Sequence, residues 1–110
     1  MTGSDAELRL VLVTAPDPAV AEGLARSLVE ERLAACVNVV PGLRSVYRWQ
    51  GRVEAADELL LLVKTRADRA AALAARVREL HPYELPEVVE LPVLGGSPAY
   101  LDWLRKESSP

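Results

Sequence analysis

The chain has no phenylalanine and no isoleucine, and only one cysteine, one methionine, one histidine, one asparagine and one glutamine in 110 residues. The lone cysteine, Cys36, excludes an intrachain disulfide and any CxxC metal or redox motif. That usage fits a reducing compartment, so the expected location is the cytoplasm. The lone histidine, His81, leaves no Ser/His/Asp or Cys/His constellation, and an enzyme is not expected. Positive charge is also short: 13 Lys and Arg against 16 Asp and Glu give a net charge of −3, which argues against a general nucleic-acid binder. No apolar run approaches the ~18 residues that would suggest a membrane helix. The opening Met1-Thr2-Gly3-Ser4-Asp5 lacks the basic-then-apolar layout of a secretory signal.

What is present is a dense, narrow apolar set: 18 Leu, 16 Ala and 14 Val, in a chain that is 50% hydrophobic. A chain of this length suits one domain, 1–110, and buries roughly 65% of its unfolded surface. No repeat or linker stands out. Residues 1–6 and the tail 107–110 read as loose ends.

Residues 8–14 contain Leu10-Val11-Leu12-Val13, the apolar run of a buried central strand. Asp17 and Pro18 are a cap and a first-turn proline for a helix ending near Arg32, with Val20, Leu24 and Leu28 on its apolar side. Residues 36–40 and 43–49 are extended, with a bend or bulge expected at Pro41-Gly42. Gln50-Gly51 is a tight turn. Residues 52–54 begin the return, and 58–65, carrying five apolar residues in a row, complete a hairpin of over 25 residues. Asp68 is the expected cap of a second helix over 68–80, with Ala70, Leu73, Val77 and Leu80 as its stripe, stopped by Pro82. Residues 86–93 read as an edge strand because of their two prolines, and Ser97-Pro98 starts a helix of about two turns. The order β-α-β-β-α-β-α predicts an α+β, ferredoxin-like split βαβ sandwich with a C-terminal helix.

Two helices cover one face of such a sheet. The other face here is apolar too, and leaving it in water costs roughly 25 cal/mol per Å². A homo-oligomer whose sheets pack together, with hairpin arms reaching neighbours, is therefore expected; the last helix is too short to cover the face alone.

The fold itself assigns no function. The loop after the first strand, Thr14-Ala15-Pro16-Asp17, has neither the paired cysteines of a heavy-metal carrier nor a glycine-rich phosphate cradle. Tyr47 and Trp49 are the only strand aromatics, too few for RNA stacking. Cys36 reads either as a small buried apolar residue or as a soft thiolate ligand. His81, just past a helix end, is either a hydrogen-bonded turn residue or a copper or zinc ligand. One His and one Cys need further donors, from Glu84, Glu87 or Glu90 or from another subunit. Trp49 packs against a neighbouring hairpin or walls an intersubunit cleft. Lys64 either reaches solvent at a strand end or faces a carboxylate or an anionic ligand.

Taken together, Glu31-Arg32-Leu33-Ala34-Ala35-Cys36-Val37-Asn38, Pro41-Gly42, Ser45-Val46-Tyr47-Arg48-Trp49-Gln50-Gly51, Leu61-Leu62-Val63-Lys64-Thr65, His81-Pro82-Tyr83-Glu84-Leu85-Pro86-Glu87 and Tyr100-Leu101-Asp102-Trp103-Leu104 resemble the CutA divalent-cation tolerance family. The resemblance implies a homotrimer assembled like the PII signalling proteins, with interlocking hairpins, a link to copper and other divalent cations, and no enzymatic activity. It places Cys36, Trp49, Lys64, His81, Tyr83 and Glu87 near clefts between subunits. The resulting expectation has His81, Cys36 and Glu84 as metal ligands and Trp49, Lys64, Tyr83 and Glu87 as a ligand cleft. No cofactor is obligatory, Cu²⁺ or another divalent cation is the possible ligand, and neither nucleic acid nor membrane is a partner. The alternative is a metal-free small-molecule sensor using Lys64 and Trp49. Some bacterial members carry a thiol at the end of the first strand and a second His before the His-Pro-Tyr triplet; Val13 and Leu80 hold those places here. Scarce Asn, Gln, Met and Cys also predict resistance to heat.

Overall fold

The two apolar runs, 10–13 and 59–63, lie on strands paired with each other. The computed structural model describes residues 7–110, in the order β1 (Leu8–Ala15), α1 (Pro18–Glu30), β2 (Cys36–Trp49), β3 (Arg52–Arg66), a 3-10 turn (Ala67–Arg69), α2 (Ala70–Leu80), β4 (Val89–Pro92) and α3 (Pro98–Glu107). The sheet is antiparallel, in the order β2-β3-β1-β4. The two most apolar strands are thus central, and the fold is the ferredoxin-like split βαβ. The loose end expected at residues 1–6 lies outside the described residues.

One sheet face carries Val11, Val13 and Ala15 of β1 with Leu59, Leu61 and Val63 of β3, packed against Ala21, Leu24 and Leu28 of α1 and Leu73 and Val77 of α2. The Asp17 side chain caps α1 by accepting from the Val20 N–H at 2.8 Å, as expected. The α1 C-terminus closes with Arg32 N–H to Val29 O and Leu33 N–H to Leu28 O. Arg32 takes the left-handed conformation, φ 58°, where glycine is usual.

Three details depart from the sequence reading. Asp68 caps nothing: its carboxylate pairs with the Arg66 guanidinium at 2.7 Å, which holds it below the usual carboxylate range, and α2 starts at Ala70. Leu80 is not part of the buried stripe, which is Ala70, Leu73 and Val77. β4 is four residues long, not eight, because Pro86 falls in the preceding loop; it is an edge strand, consistent with its one proline, Pro92.

The register defines the second face row by row. Cys36, Lys64, Leu10 and Leu91 form one row; Asn38, Leu62, Leu12 and Val89 the next; Val40, Leu60 and Thr14 the third. α3 covers the first row. At ten residues it exceeds the two turns expected, and its Leu104 packs with Leu8, Ala35 and Cys36. Nor is the tail loose. Ser108 is fully buried, and the Arg32 guanidinium donates to Lys106 O and Ser109 O, both at 2.8 Å. The second and third rows have no helix over them, and Val40 and Val89 there are exposed, as is Leu91 at the edge of the first row.

The β2–β3 hairpin runs well past the end of β1, whose last partner is Leu59. Its turn is Gln50-Gly51, both at positive φ (49° and 78°), the geometry of a tight hairpin turn. Between Val40 and Leu43 the register shifts, so Pro41-Gly42 inserts one extra residue, with Gly42 at φ 83°. Before this bulge the even residues of β2 lie on the second face; after it, the odd ones do.

Candidate functional site

That parity change decides what surrounds the base of the arm. Leu43 pairs with Glu58, Tyr47 with Glu54 and Trp49 with Arg52, so Tyr47 and Trp49 share the face that Cys36 and Val40 occupy on the other side of the bulge. Without the extra residue both rings would lie opposite.

The segment after α2 closes the other side. Pro82 ends the helix, leaving His81 extended (ψ 138°). The His81 ring is buried, with Nε2 2.7 Å from Thr14 O on β1 and Nδ1 accepting the Tyr83 N–H at 3.1 Å. A carbonyl demands a donor and an N–H demands an acceptor, so the ring fits as the neutral imidazole protonated on Nε2. The Tyr83 hydroxyl donates to Glu58 Oε2 at 2.7 Å, and its ring lies 4.6 Å from that of His81. Burial, then the bond to the Glu58 carboxylate, pushes the Tyr83 phenol up to about 12.

Between arm and segment lies a groove of about 910 Å³, open to solvent along much of its length. Its aromatic wall is Tyr47, Trp49 and Tyr83; its carboxylates are Glu58, Glu84 and Glu87. Arg44 also lines it, ion-paired with Asp57 at 3.0 Å. Glu58 is 7% exposed, whereas Glu84 and Glu87 are exposed.

Trp49, Tyr83, Glu84 and Glu87 therefore come together, and Lys64 does not. The Lys64 ammonium donates to Tyr100 Oη at 3.2 Å and sits 5.5 Å from that ring, so this half-buried side chain engages α3 rather than a carboxylate or the groove. Cys36 and His81 are also apart. Cys36 is opposite Lys64, and His81 is bonded at Thr14, opposite Leu60. Those partners are four residues apart on β3, about 13 Å. Among the described residues no group of three or more His, Cys, Asp or Glu side chains is placed to hold a metal ion. His81 offers no free lone pair while Thr14 and Tyr83 engage it. Glu58 and Arg44 are groove residues that sequence reasoning missed. The bulge at Pro41-Gly42 was a usable signal for Tyr47; nothing in the sequence marked Glu58 as the partner of Tyr83.

Residues 9–107 match the family model described as CutA1 divalent ion tolerance protein. The chain is 57% identical over 99 residues to a divalent-cation tolerance protein CutA of Thermus thermophilus, covering 90% of this chain and 96% of that one. It is 48% identical to a CutA homolog of Xenopus laevis, over 88% of this chain and 64% of the relative; against the longer chloroplastic CutA of Arabidopsis thaliana it spans 54% of the relative's length. Among solved structures, the Thermus thermophilus divalent cation tolerance protein superposes with a TM-score of 0.91 at 55% identity, covering 93% of this chain and 99% of that one. The periplasmic divalent cation tolerance protein CutA of Archaeoglobus fulgidus does so at 0.89 and 35% identity, with the same coverages. No helix among the described residues is long and apolar enough to cross a membrane.

Proposed function

Because the chain belongs to the CutA1 divalent ion tolerance family, we propose that it acts as a cytoplasmic homotrimer supporting tolerance to divalent cations, by binding and signalling rather than by catalysis. The observation that carries this reading is the uncovered apolar sheet face. Leu12, Leu62, Val89, Val40 and Leu60 adjoin one another with no helix above them. A contiguous apolar surface of this kind is stabilised by contact with another copy. The arm beyond Leu59 reaches past its own sheet and wraps a neighbour, whose surface then forms the outer wall of the groove.

Copper or another divalent cation is the proposed cargo, and no resident cofactor is required. On this chain the accessible oxygen donors of the groove are Glu84 and Glu87. His81 and Cys36 join a metal only by breaking their present packing. The test is calorimetric titration with Cu²⁺ and Zn²⁺ on wild type, His81→Ala and the double variant Glu84→Gln/Glu87→Gln. The proposal expects binding that the double variant loses and His81→Ala keeps. Identical heats in all three would contradict it.

A second reading, a metal-free small-molecule sensor, is favoured by the three-ring wall of the groove. Lys64 plays no part in it, since its ammonium is held by Tyr100. The reading expects a tryptophan fluorescence change on ligand addition without metal, lost in Trp49→Leu.

A further inference from the structure

We propose that the groove binds an organic ammonium ion with an apolar body. This rests on the small-molecule reading of the groove and gives that ligand a chemical class.

Charge comes first. Three carboxylates, Glu58, Glu84 and Glu87, line the groove. Among the described residues lining it the one cation is Arg44, which is ion-paired with Asp57 at 3.0 Å. Anionic ligands are therefore repelled, and a neutral one leaves the field unused.

Shape and surface come next. A bare divalent ion needs several donors converging at about 2.0–2.6 Å; among the described residues of one chain no such group of three exists, so a metal needs donors from a neighbouring copy as well. An ammonium ion needs less: one carboxylate beside it and aromatic faces around it. Tyr47, Trp49 and Tyr83 are the aromatic residues lining the groove. Glu58, 7% exposed, gives the floor a negative charge screened little by water. Its bond to the Tyr83 hydroxyl holds that ring against the hairpin. The volume, about 910 Å³, suits a compact organic molecule.

The experiment titrates the full chain, in its native assembly and free of metal, with phenethylammonium and with its neutral counterpart 2-phenylethanol. Binding is read by calorimetry and by Trp49 fluorescence in a Trp103→Phe background. The proposal expects saturable binding of the ammonium, about tenfold or more tighter than the alcohol. It expects that preference to shrink with added salt and in Glu84→Gln, an exposed position that does not endanger folding. If the alcohol binds as tightly as the ammonium and Trp49→Leu weakens both, the ammonium class is overturned while the small-molecule groove stands. If neither compound binds, both fall.

Discussion

The Tyr83 hydroxyl and the Glu58 carboxylate, 2.7 Å apart, join the segment after α2 to the base of the β2–β3 arm. One end of this link continues through the Tyr83 N–H to His81 and on to Thr14 of β1. The groove wall is thereby tied to the centre of the sheet as well as to the hairpin.

This link has a signature in alkali. The Tyr83 phenol is pushed up to about 12, above its ordinary value near 10. The folded state holds the proton more tightly, so the contribution is complete below pH ~10 and is lost as pH rises through about 12. Spectrophotometric titration of tyrosinate is expected to show a component near pH 12 that Tyr83→Phe removes. An unchanged curve in that variant would contradict the assignment.

The bulge is testable through Gly42. Its φ of 83° suits glycine, and a Cβ there meets no atom within 4 Å, so Gly42→Ala is penalised by backbone conformation alone. The expected loss is about 1–2 kcal/mol in denaturant unfolding. A variant as stable as wild type would show that the bulge relaxes freely.

Arg32 does two opposing things. Its left-handed backbone costs about 1 kcal/mol relative to glycine, and its guanidinium holds the carbonyls of Lys106 and Ser109 at the end of α3. Arg32→Ala keeps the strain and loses the clamp, an expected cost of about 1 kcal/mol for partly exposed bonds. Arg32→Gly loses the clamp and the strain together and is expected to be nearly neutral. Hydrogen exchange in α3 is expected to quicken in both variants; no change in either would deny that Arg32 anchors the helix.

Much of this was legible in the chain. The apolar runs 10–13 and 59–63 marked the central strands, and Asp17-Pro18 marked a helix start, because each is a local effect of burial or capping. What escaped was set by partners distant in sequence. Asp68 reads as a cap until Arg66 takes its carboxylate. The tail reads as loose until Arg32, 77 positions away, binds Ser109 O. In the site, Trp49, Tyr83, Glu84 and Glu87 were named from the segments that carry them. Lys64 lies outside this groove because strand parity puts it beside Tyr100. Glu58 was invisible because an acidic residue at the edge of an apolar run ordinarily faces water.

Heat resistance is expected as well, from the scarcity of Asn, Gln, Met and Cys together with the interface that the proposed trimer would bury. Calorimetric melting above about 65 °C, the upper range of mesophile domains, is the expected result. A lower midpoint would contradict it.

The most direct measurement is sedimentation equilibrium of the wild-type chain at micromolar concentration. Covering the helix-free rows by neighbouring copies predicts a homo-oligomer, and the proposed trimer predicts one species at three times 12.0 kDa. A soluble single copy, stable at that concentration, would contradict it.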